Sequence, residues 1–273
     1  MDGILVINKP CGMTSFDVIA RLRKKYKQKK FGHTGTLDPN ASGVLVVLCG
    51  RATKALQFLE NSDKTYIAQM KLGQSTTTDD IWGETEQEKP VVPITDLQAV
   101  LDTFVGKQSQ LVPKTSAKKI AGKKLYEYQR AGKEVPEVYA DIEIYSAKVL
   151  DESEMKFEIS CSSGTYIRSI CRDIALKTGN VGMMTALQRI EAGGFTIEQA
   201  EELDAPEHTL YPLESAFEPM EHVEYEPFAD ILNGRKIECD AKQDRIAVMH
   251  EGKIAAVYER DHDNVFRSKR GLW

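Results

Sequence analysis

The start of the chain alternates short apolar runs with polar turns, a pattern that predicts strands interleaved with helices. Residues 4–8 and 44–48 are continuous apolar runs of strand length. Between them, Thr14 and Asp17 have the spacing of a capping box, which predicts the start of a helix. Residues 64–72 alternate in side-chain type with the two-residue period of a strand. The residues at helical spacing on the predicted helix are Phe16, Ile19, Ala20 and Arg23.

The same reasoning predicts the elements in the middle of the chain. Helices are predicted over 52–59, from Thr95 with Gln98, near Tyr126, and over 166–177 and 183–190. Strands are predicted over 138–150 and 155–160, joined by a turn at 151–154. Residues 73–93, rich in Thr, Asp and Gly, are predicted to be loop.

The pattern changes after Pro212. Short strands are predicted around Ile231 and over 246–249 and 254–258, joined by Asn-Gly and Glu-Gly turns at 233–234 and 251–252. We therefore predict an α+β fold with two domains. The first covers residues 1–212 and mixes helices and strands, and the second is a small β domain over residues 213–273.

The composition indicates a cellular compartment but does not point to a particular reaction. The 273 residues are 41% hydrophobic and 28% charged, as in an ordinary soluble globular protein. The cysteines are odd in number and lack CxxC spacing, which predicts reduced thiols and neither a disulfide framework nor a zinc site. No apolar signal core fits the first ten residues, and the longest apolar run, residues 44–49, is too short to span a membrane. We expect a cytoplasmic protein without a membrane partner.

The net charge of −5 conceals a segregated distribution. Residues 21–30 contain seven Lys and Arg and no acid, and a second basic stretch covers residues 114–133. Residues 190–234 contain no Lys or Arg. A basic stretch is usually a solvated face, but two of them fit a surface that follows a phosphate backbone.

The first basic run leads into a polar turn that holds one carboxylate, Asp38. Pro39 biases Asp38 toward an extended conformation. Gly32 and Gly35 lack side chains, so we expect room there for the backbone of another molecule. His33 lies five residues upstream. From spacing alone, an Asp-Pro pair is usually only a turn.

The spelling of this turn, GHTGTLDPNASGVL, resembles the catalytic motif of the TruB family of tRNA pseudouridine synthases. Further motifs of that family have counterparts here in the same order, and the likeness covers about residues 3 to 203. They are GILVINKPCGMTSFDVI, SDKTYIAQMKLGQSTTTDDIWGE, LVPKTSAKKIAGKKLYEYQRAGKEV, CSSGTYIRSICRDI and ALQRIEAGGFTIEQA. The sequence departs from the family at Thr115 and Lys118, and at Gln188 and Ile190.

The resemblance implies a fold and an activity. The fold is that of pseudouridine synthases, with a mixed, largely antiparallel central sheet flanked by helices and a PUA-like RNA-binding domain over residues 213–273. The activity is conversion of uridine 55 in the T loop of tRNA to pseudouridine on a flipped-out base. No metal or nucleotide cofactor is implied. The implied partner is the tRNA T-arm stem-loop, with no obligate protein partner and a monomeric enzyme.

The resemblance also assigns residues. Asp38 is the nucleophile, Tyr66 stacks on the base and accepts a proton, and Arg168 pairs with Asp38. The substrate-binding residues that it implies are His33, Tyr166, Leu187, Lys9 and Lys64. Without the family, Tyr66 and Leu187 would be core residues, His33 a turn residue, and Lys9, Lys64 and Arg168 solvated surface residues.

Several alternatives stay open at this point. The acid either attacks the sugar carbon or assists a glycal-like intermediate. A synthase of the RluA-like class acting on ribosomal RNA is a second enzyme hypothesis, against which the KTY and TYIR contexts and the long loop after Leu72 speak. A third hypothesis is a non-catalytic RNA-binding or tRNA-folding protein. The joint presence of Asp38, Tyr66 and Arg168 disfavours it.

Overall fold

The computed structural model describes residues 1–59, 62–116, 118–120, 122–131 and 133–273. The chain forms two compact units that interleave along the sequence. The first unit consists of Met1–Pro39, Gly43–Glu60 and Gly193–Trp273, and the second of Asn40–Ser42 and Asn61–Ala192.

The amino-terminal part of the first unit is a helix packed on paired strands. Its elements are β1 (Gly3–Lys9), α1 (Ser15–Tyr26), β2 (Phe31–His33), β3 (Ser42–Cys49), a 3₁₀ turn (Gly50–Ala55) and α2 (Leu56–Leu59). Strands β1 and β3 are antiparallel, with Ile7 opposite Leu45. The capping box is confirmed, because Thr14 and Asp17 bond each other's backbone N–H groups.

The buried face of α1 is rotated by one residue from the set at helical spacing named above. Phe16 is 64% exposed and Ala20 is also exposed. The buried stripe, with the spacing of a core-facing helix, is Ser15, Val18, Ile19 and Leu22. The predicted helix is confirmed, and its buried stripe begins with a polar residue, Ser15, whose hydroxyl is bonded inside the fold.

The core of the second unit is a set of five neighbouring strands, accompanied by two short hairpins and three helices among the described residues. Its elements are β4 (Lys64–Leu72), β5 (Gln74–Thr76), β6 (Thr85–Glu88), α3 (Leu97–Asp102), β7 (Gly106–Leu111), β8 (Lys119–Ile120), β9 (Lys123–Lys124), α4 (Leu125–Arg130), β10 (Tyr139–Asp151), β11 (Lys156–Cys161), α5 (Ile167–Lys177) and β12 (Gly182–Ala192). The order β12-β4-β11-β10-β7 is antiparallel throughout. Strand β4 and the β10–β11 pair confirm the predictions there. The predicted loop at 73–93 contains the β5–β6 hairpin, and Asp96, not Thr95, caps α3.

The helix predicted over 183–190 is wrong, because these residues belong to strand β12. They pair with β4 from Gly182 opposite Leu72 to Ala192 opposite Lys64. Two register shifts, after Met184 and after Arg189, break the two-residue alternation. The buried positions are therefore spaced by three and two residues, which imitates a helix in a segment rich in helix-forming residues.

The carboxyl-terminal part of the first unit returns to β1 and then forms a separate sheet. Its elements are β13 (Phe195–Thr196), a 3₁₀ turn (Ile197–Gln199), β14 (Glu201–Glu202), a 3₁₀ turn (Leu213–Phe217), β15 (Glu221–Glu224), α6 (Phe228–Leu232), β16 (Ile237–Glu238), β17 (Arg245–His250), β18 (Lys253–His262) and β19 (Val265–Gly271). Strand β14 runs parallel to β1, and the final sheet has the order β15-β17-β18-β19-β16. The predicted strand around Ile231 is wrong, since Ile231 is a buried residue of α6. The predicted turn at Glu251 and Gly252 is confirmed by positive φ at both residues.

Candidate functional site

The predicted nucleophile, Asp38, lies in an irregular segment between β2 and β3 that is held by hydrogen bonds on both sides. On the amino side, the hydroxyl of Ser15 accepts from the Leu37 N–H at 2.9 Å and donates to the Leu37 carbonyl oxygen at 3.3 Å. Ser15 is 1% exposed and Leu37 is 3% exposed. One buried hydroxyl thus satisfies both backbone groups of Leu37 and holds the residue before Asp38 against the start of α1.

On the carboxyl side, the Pro39 carbonyl oxygen accepts three hydrogen bonds. The donors are the N–H groups of Gly12, at 2.9 Å, and Met13, at 3.2 Å, and the Lys9 ammonium, at 3.1 Å. Lys9 is fully buried, and its ammonium also donates to the carbonyl oxygens of Pro10 at 2.9 Å and Met13 at 2.7 Å. Because an ammonium carries three N–H donors, Lys9 can join the turn between β1 and α1 to the acidic turn.

Asp38 itself is partly exposed between these two fixed neighbours. A partly exposed carboxylate on a fixed backbone is the arrangement that positioning a reactive group requires. Lys9 and Asp38, which the sequence assigns to the same site, are therefore brought together through Pro39.

His33 ends β2, opposite Val47 of β3, and is partly exposed. The residue before it contradicts one prediction. A Cβ on Gly32 would lie 2.5 Å from Cδ1 of Leu56, so the chain's own side chain fills the space that we expected another molecule to use. A side chain at position 32 would force Leu56 to shift, and the role of His33 stays a prediction.

In the second unit, Tyr66 lies on the buried face of β4 and is 7% exposed. Its cross-strand neighbours are Ile159 on β11 and Arg189 on β12. Leu187, 9% exposed, lies opposite Ala68 of β4. Directly opposed residues of antiparallel strands share a face, so Tyr66, Leu187 and Arg189 line one surface of this sheet.

Lys64 lies on the same face of β4, and it is not the solvated lysine of the alternative interpretation. It is 7% exposed and donates to the carbonyl oxygen of Ser62. Burial, followed by repulsion from Arg189, lowers the pKa of Lys64 to about 8. Between that value and the ordinary lysine pKa, the unfolded chain binds more protons at this site than the folded chain. The cost of burying Lys64 therefore falls as pH rises through that window.

Helix α5 begins beside Tyr166, whose backbone is fixed by Gln110 of β7. The Gln110 amide nitrogen donates to the Tyr166 carbonyl oxygen at 3.1 Å, and its Oε1 accepts from the Tyr166 N–H at 2.8 Å. Gln110 is buried, whereas Tyr166 is partly exposed. The contact fixes where α5 starts and therefore where its first turn lies.

Arg168 in that first turn is 5% exposed, which excludes the surface arginine of the alternative interpretation. Its guanidinium donates to the carbonyl oxygens of Thr78 at 2.9 Å and Thr115 at 3.1 Å. Its Nε lies 3.8 Å from Oδ2 of Asp80. A cation in the first turn of a helix is disfavoured by the helix dipole, and within this unit Asp80 supplies an anionic partner. The pairing of Arg168 with Asp38 stays a prediction.

The predicted site residues thus fall into two groups. Those in the first unit are Lys9, His33 and Asp38. Those in the second unit are Lys64, Tyr66, Tyr166, Arg168 and Leu187. Helix α5, which carries Arg168, packs against β4 and β12.

Sequence analysis missed Ser15, Asp80 and Gln110, which contact residues of the site or their neighbours, and Arg189, the cross-strand neighbour of Tyr66. Arg189 is 1% exposed. Its single positive charge within the otherwise uncharged run 178–190 is the one signal that could have marked it. The other three act through backbone groups or charges that are distant in sequence.

Within the part of the chain that the structure describes, no helix combines the length and the apolar character needed to cross a membrane.

Solved structures share the fold. A Cbf5-Nop10-Gar1 complex contains a chain with a TM-score of 0.75 and 23% identity, matched over 99% of this chain and 85% of that one. An H/ACA RNP bound to a substrate RNA containing 2'-deoxyuridine gives a TM-score of 0.74 at 22% identity, with the same coverage. At such identities the likeness concerns the fold alone, and it confirms the predicted fold class.

Sequence comparison extends the likeness from fold to family. A family profile described as TruB family pseudouridylate synthase (N terminal domain) matches residues 23–167. A protein of Oceanobacillus iheyensis named tRNA pseudouridine synthase B is 38% identical, over 97% of this chain and 94% of that protein. Its namesake from Bacillus subtilis is 39% identical, over 94% of this chain and 93% of that protein. As the motifs predict, the chain belongs to the TruB family of pseudouridylate synthases.

Proposed function

We propose that this enzyme isomerises uridine 55 in the T loop of tRNA to pseudouridine, with Asp38 as the nucleophile and without a metal or nucleotide cofactor. Relatives named tRNA pseudouridine synthase B match nearly the whole chain. The observation that carries the proposal is the acidic turn held by Ser15 at Leu37 and by Lys9 at Pro39. A carboxylate on a fixed backbone suits chemistry at an anomeric carbon.

The reaction breaks the C–N glycosidic bond, rotates the base and forms a C–C bond, with no net redox change. A uridine within an RNA loop has to be extruded before its glycosidic bond can be reached. We propose that Tyr66 stacks on the extruded base and later accepts the C5 proton, and that Leu187 and Tyr166 complete the surface around it. His33 takes the place that the flipped nucleotide leaves. Asp38 acts either by attack on the sugar carbon or by assisting a glycal-like intermediate.

The charged residues have supporting roles in this proposal. Arg168 is the counter-ion that orients the carboxylate of Asp38. The burial of Lys9 and its three carbonyl contacts support a role in holding the acidic turn, and not in binding phosphate. Lys64, with its lowered pKa, supports the pocket beside Tyr66.

The RNA backbone is bound by part of the first basic run. Three of its residues have partners in the first unit, because Arg21 pairs with Asp204, and Arg23 and Lys25 donate to backbone carbonyl oxygens. Besides Arg21, the exposed cations of this run are Lys24, Lys27, Lys29 and Lys30. They fit a phosphate-following surface. We further propose that residues 213–273 form a PUA-like RNA-binding domain and that the enzyme is a cytoplasmic monomer without an obligate protein partner.

A tritium-release assay tests the proposal. Transfer RNA labelled at uridine C5 releases tritium when C5 forms the new bond to the ribose, and mapping the product locates the modified position. Release from the T loop by the wild type is the expected result. Tight binding of tRNA without release would favour the non-catalytic RNA-binding hypothesis. Release from another position would mean that the enzyme modifies a different uridine.

A further inference from the structure

One turn after Arg168 on α5, a second, partly buried arginine contacts the same two chain segments. The Arg172 guanidinium lies 3.0 Å from Oδ2 of Asp79, and it donates to the Leu111 carbonyl oxygen at 3.2 Å. Its Nε also donates to Asp173, its neighbour on the helix, at 2.9 Å. The side chains of Arg172 and Asp79 are 19% and 18% exposed, so this pair is largely removed from water.

The acceptors of the two arginines alternate along the chain. Arg168 contacts Thr78 and Asp80, and Asp79 lies between them. On the second segment, Arg168 contacts the Thr115 carbonyl oxygen, four residues after Leu111. Arg172 therefore ties the turn at residues 78–80 to the end of β7. These are the two chain segments on which, or just after which, the acceptors of Arg168 lie.

The conformation of the turn depends on Asp79. Asp79 has φ of +60°, a left-handed conformation that Asp and Asn adopt more readily than other residues with a side chain. Its N–H donates to the Thr76 carbonyl oxygen at 3.2 Å, and its own carbonyl oxygen accepts from Met184 of β12 at 3.0 Å. The backbone of Asp79 is thus fixed on β12, while its side chain is directed to α5.

Electrostatics support the same reading of the pair. Burial raises the pKa of the Asp79 carboxyl group, and the guanidinium groups of Arg172 and Arg168 oppose that rise. The carboxylate therefore depends on these arginines to remain charged within the fold.

We propose that the Asp79–Arg172 ion pair is a positioning device that fixes the turn at residues 78–80, so that the Thr78 carbonyl and the Asp80 carboxylate hold the Arg168 guanidinium in its working orientation. The inference rests on the proposed role of Arg168 in pseudouridine formation. Neither Asp79 nor Arg172 touches the substrate in this account. Their effect on the reaction passes through Arg168.

Two variants remove the pair and one serves as a control. Asp79→Asn removes the charge and keeps a residue that tolerates positive φ, and Arg172→Gln removes the guanidinium. Asp173→Asn removes the other carboxylate that contacts Arg172, but this contact links no separate segments. Single-turnover rate constants and dissociation constants are measured on tRNA, well below the unfolding temperature of each variant.

We expect Asp79→Asn and Arg172→Gln to lower the rate constant by about 10- to 100-fold, the scale of a misplaced catalytic group, with affinity for tRNA unchanged within about 2-fold. Asp173→Asn should equal the wild type. In an Arg168→Lys background, Asp79→Asn should cause little further loss, because its effect passes through Arg168. Unchanged rates in both variants, or losses that multiply in the Arg168→Lys background, would overturn the proposal.

A second readout needs no activity. The Nε–H resonance of Arg168, assigned by its absence in Arg168→Lys, should exchange with water at least about 10-fold faster in Asp79→Asn and Arg172→Gln, because the guanidinium is no longer held. It should not change in Asp173→Asn. If the wild type fails to act on tRNA while this exchange difference is found, the proposed function is wrong and the positioning pair stands. Equal exchange in all variants would refute the pair itself.

Discussion

Replacing Lys9 with methionine removes an ammonium group from a buried site and keeps the length of the side chain. In the wild type this group donates to the carbonyl oxygens of Pro10, Met13 and Pro39. After the substitution, Pro39 keeps the N–H donors of Gly12 and Met13. The carbonyl oxygens of Pro10 and Met13 lose this donor.

The expected cost follows from those two carbonyls. An acceptor that loses its donor away from water costs about 1–3 kcal/mol, so two of them cost at most about 2–6 kcal/mol. Water can replace part of the lost bonding, because Pro10 and Met13 are partly exposed. The variant no longer has to bury an ammonium, which offsets part of this cost. We therefore expect Lys9→Met to lower the free energy of unfolding by about 2–4 kcal/mol. We also expect slower turnover, because the Pro39 side of the acidic turn loses the charged contact that Lys9 supplies.

Urea unfolding of the wild type and Lys9→Met, followed by circular dichroism, measures the change. Lys24→Met is the matched control, because Lys24 is an exposed residue of α1 and its replacement should change stability by no more than about 0.5 kcal/mol. A loss below about 1 kcal/mol for Lys9→Met would refute the reasoning that the buried ammonium joins the turn before α1 to the acidic turn.

Three more predictions follow from the charges. Arg168→Lys should reduce turnover by about 100-fold or more, since an ammonium cannot replace the planar set of guanidinium donors; near-normal steady-state turnover would remove Arg168 from the mechanism. Relative to Lys64→Met, the free energy of unfolding of the wild type should rise by about 2 kcal/mol from about pH 7.5 to about pH 9.5, as the buried lysine loses its proton. Urea unfolding of both proteins at both pH values measures this difference in the free energy of unfolding. The difference has to change with pH if the pKa of Lys64 is lowered in the folded chain. Replacing Lys24 and Lys27 by glutamine should reduce the slope of log affinity for tRNA against log salt by about 2, and an unchanged slope would place both lysines outside the interface.

The sequence predicts the strands whose alternation is unbroken, and it fails where tertiary contacts break the period. Strand β4 is predicted to the residue, because its register with β11 has no bulge. Strand β12 has two register shifts against the same β4, and its apolar residues then imitate a helix. The buried stripe of α1 includes Ser15, whose burial cannot be recognised from its polar side chain, because it depends on bonds to the distant Leu37.

The site shows the same division between local and distant information. The acidic turn can be predicted because its residues are contiguous and its spelling matches one family. The burial of Lys9 cannot be predicted in this way, because one of its acceptors, Pro39, lies 30 residues along the chain. Asp80 and Gln110 contact α5 from segments that are likewise distant in sequence. A single sequence gives no means of pairing them.

The central claim is that Asp38, held in its turn, is the nucleophile. Asp38→Asn keeps the shape of the side chain and removes the carboxylate, so a comparison of its single-turnover rate and its affinity for tRNA with those of the wild type tests the claim most directly. The account predicts no detectable pseudouridine, with tRNA affinity within a few-fold of wild type and unchanged folding. Retained turnover, or a loss of folding or binding in place of catalysis, would contradict it and make Asp38 a structural acid.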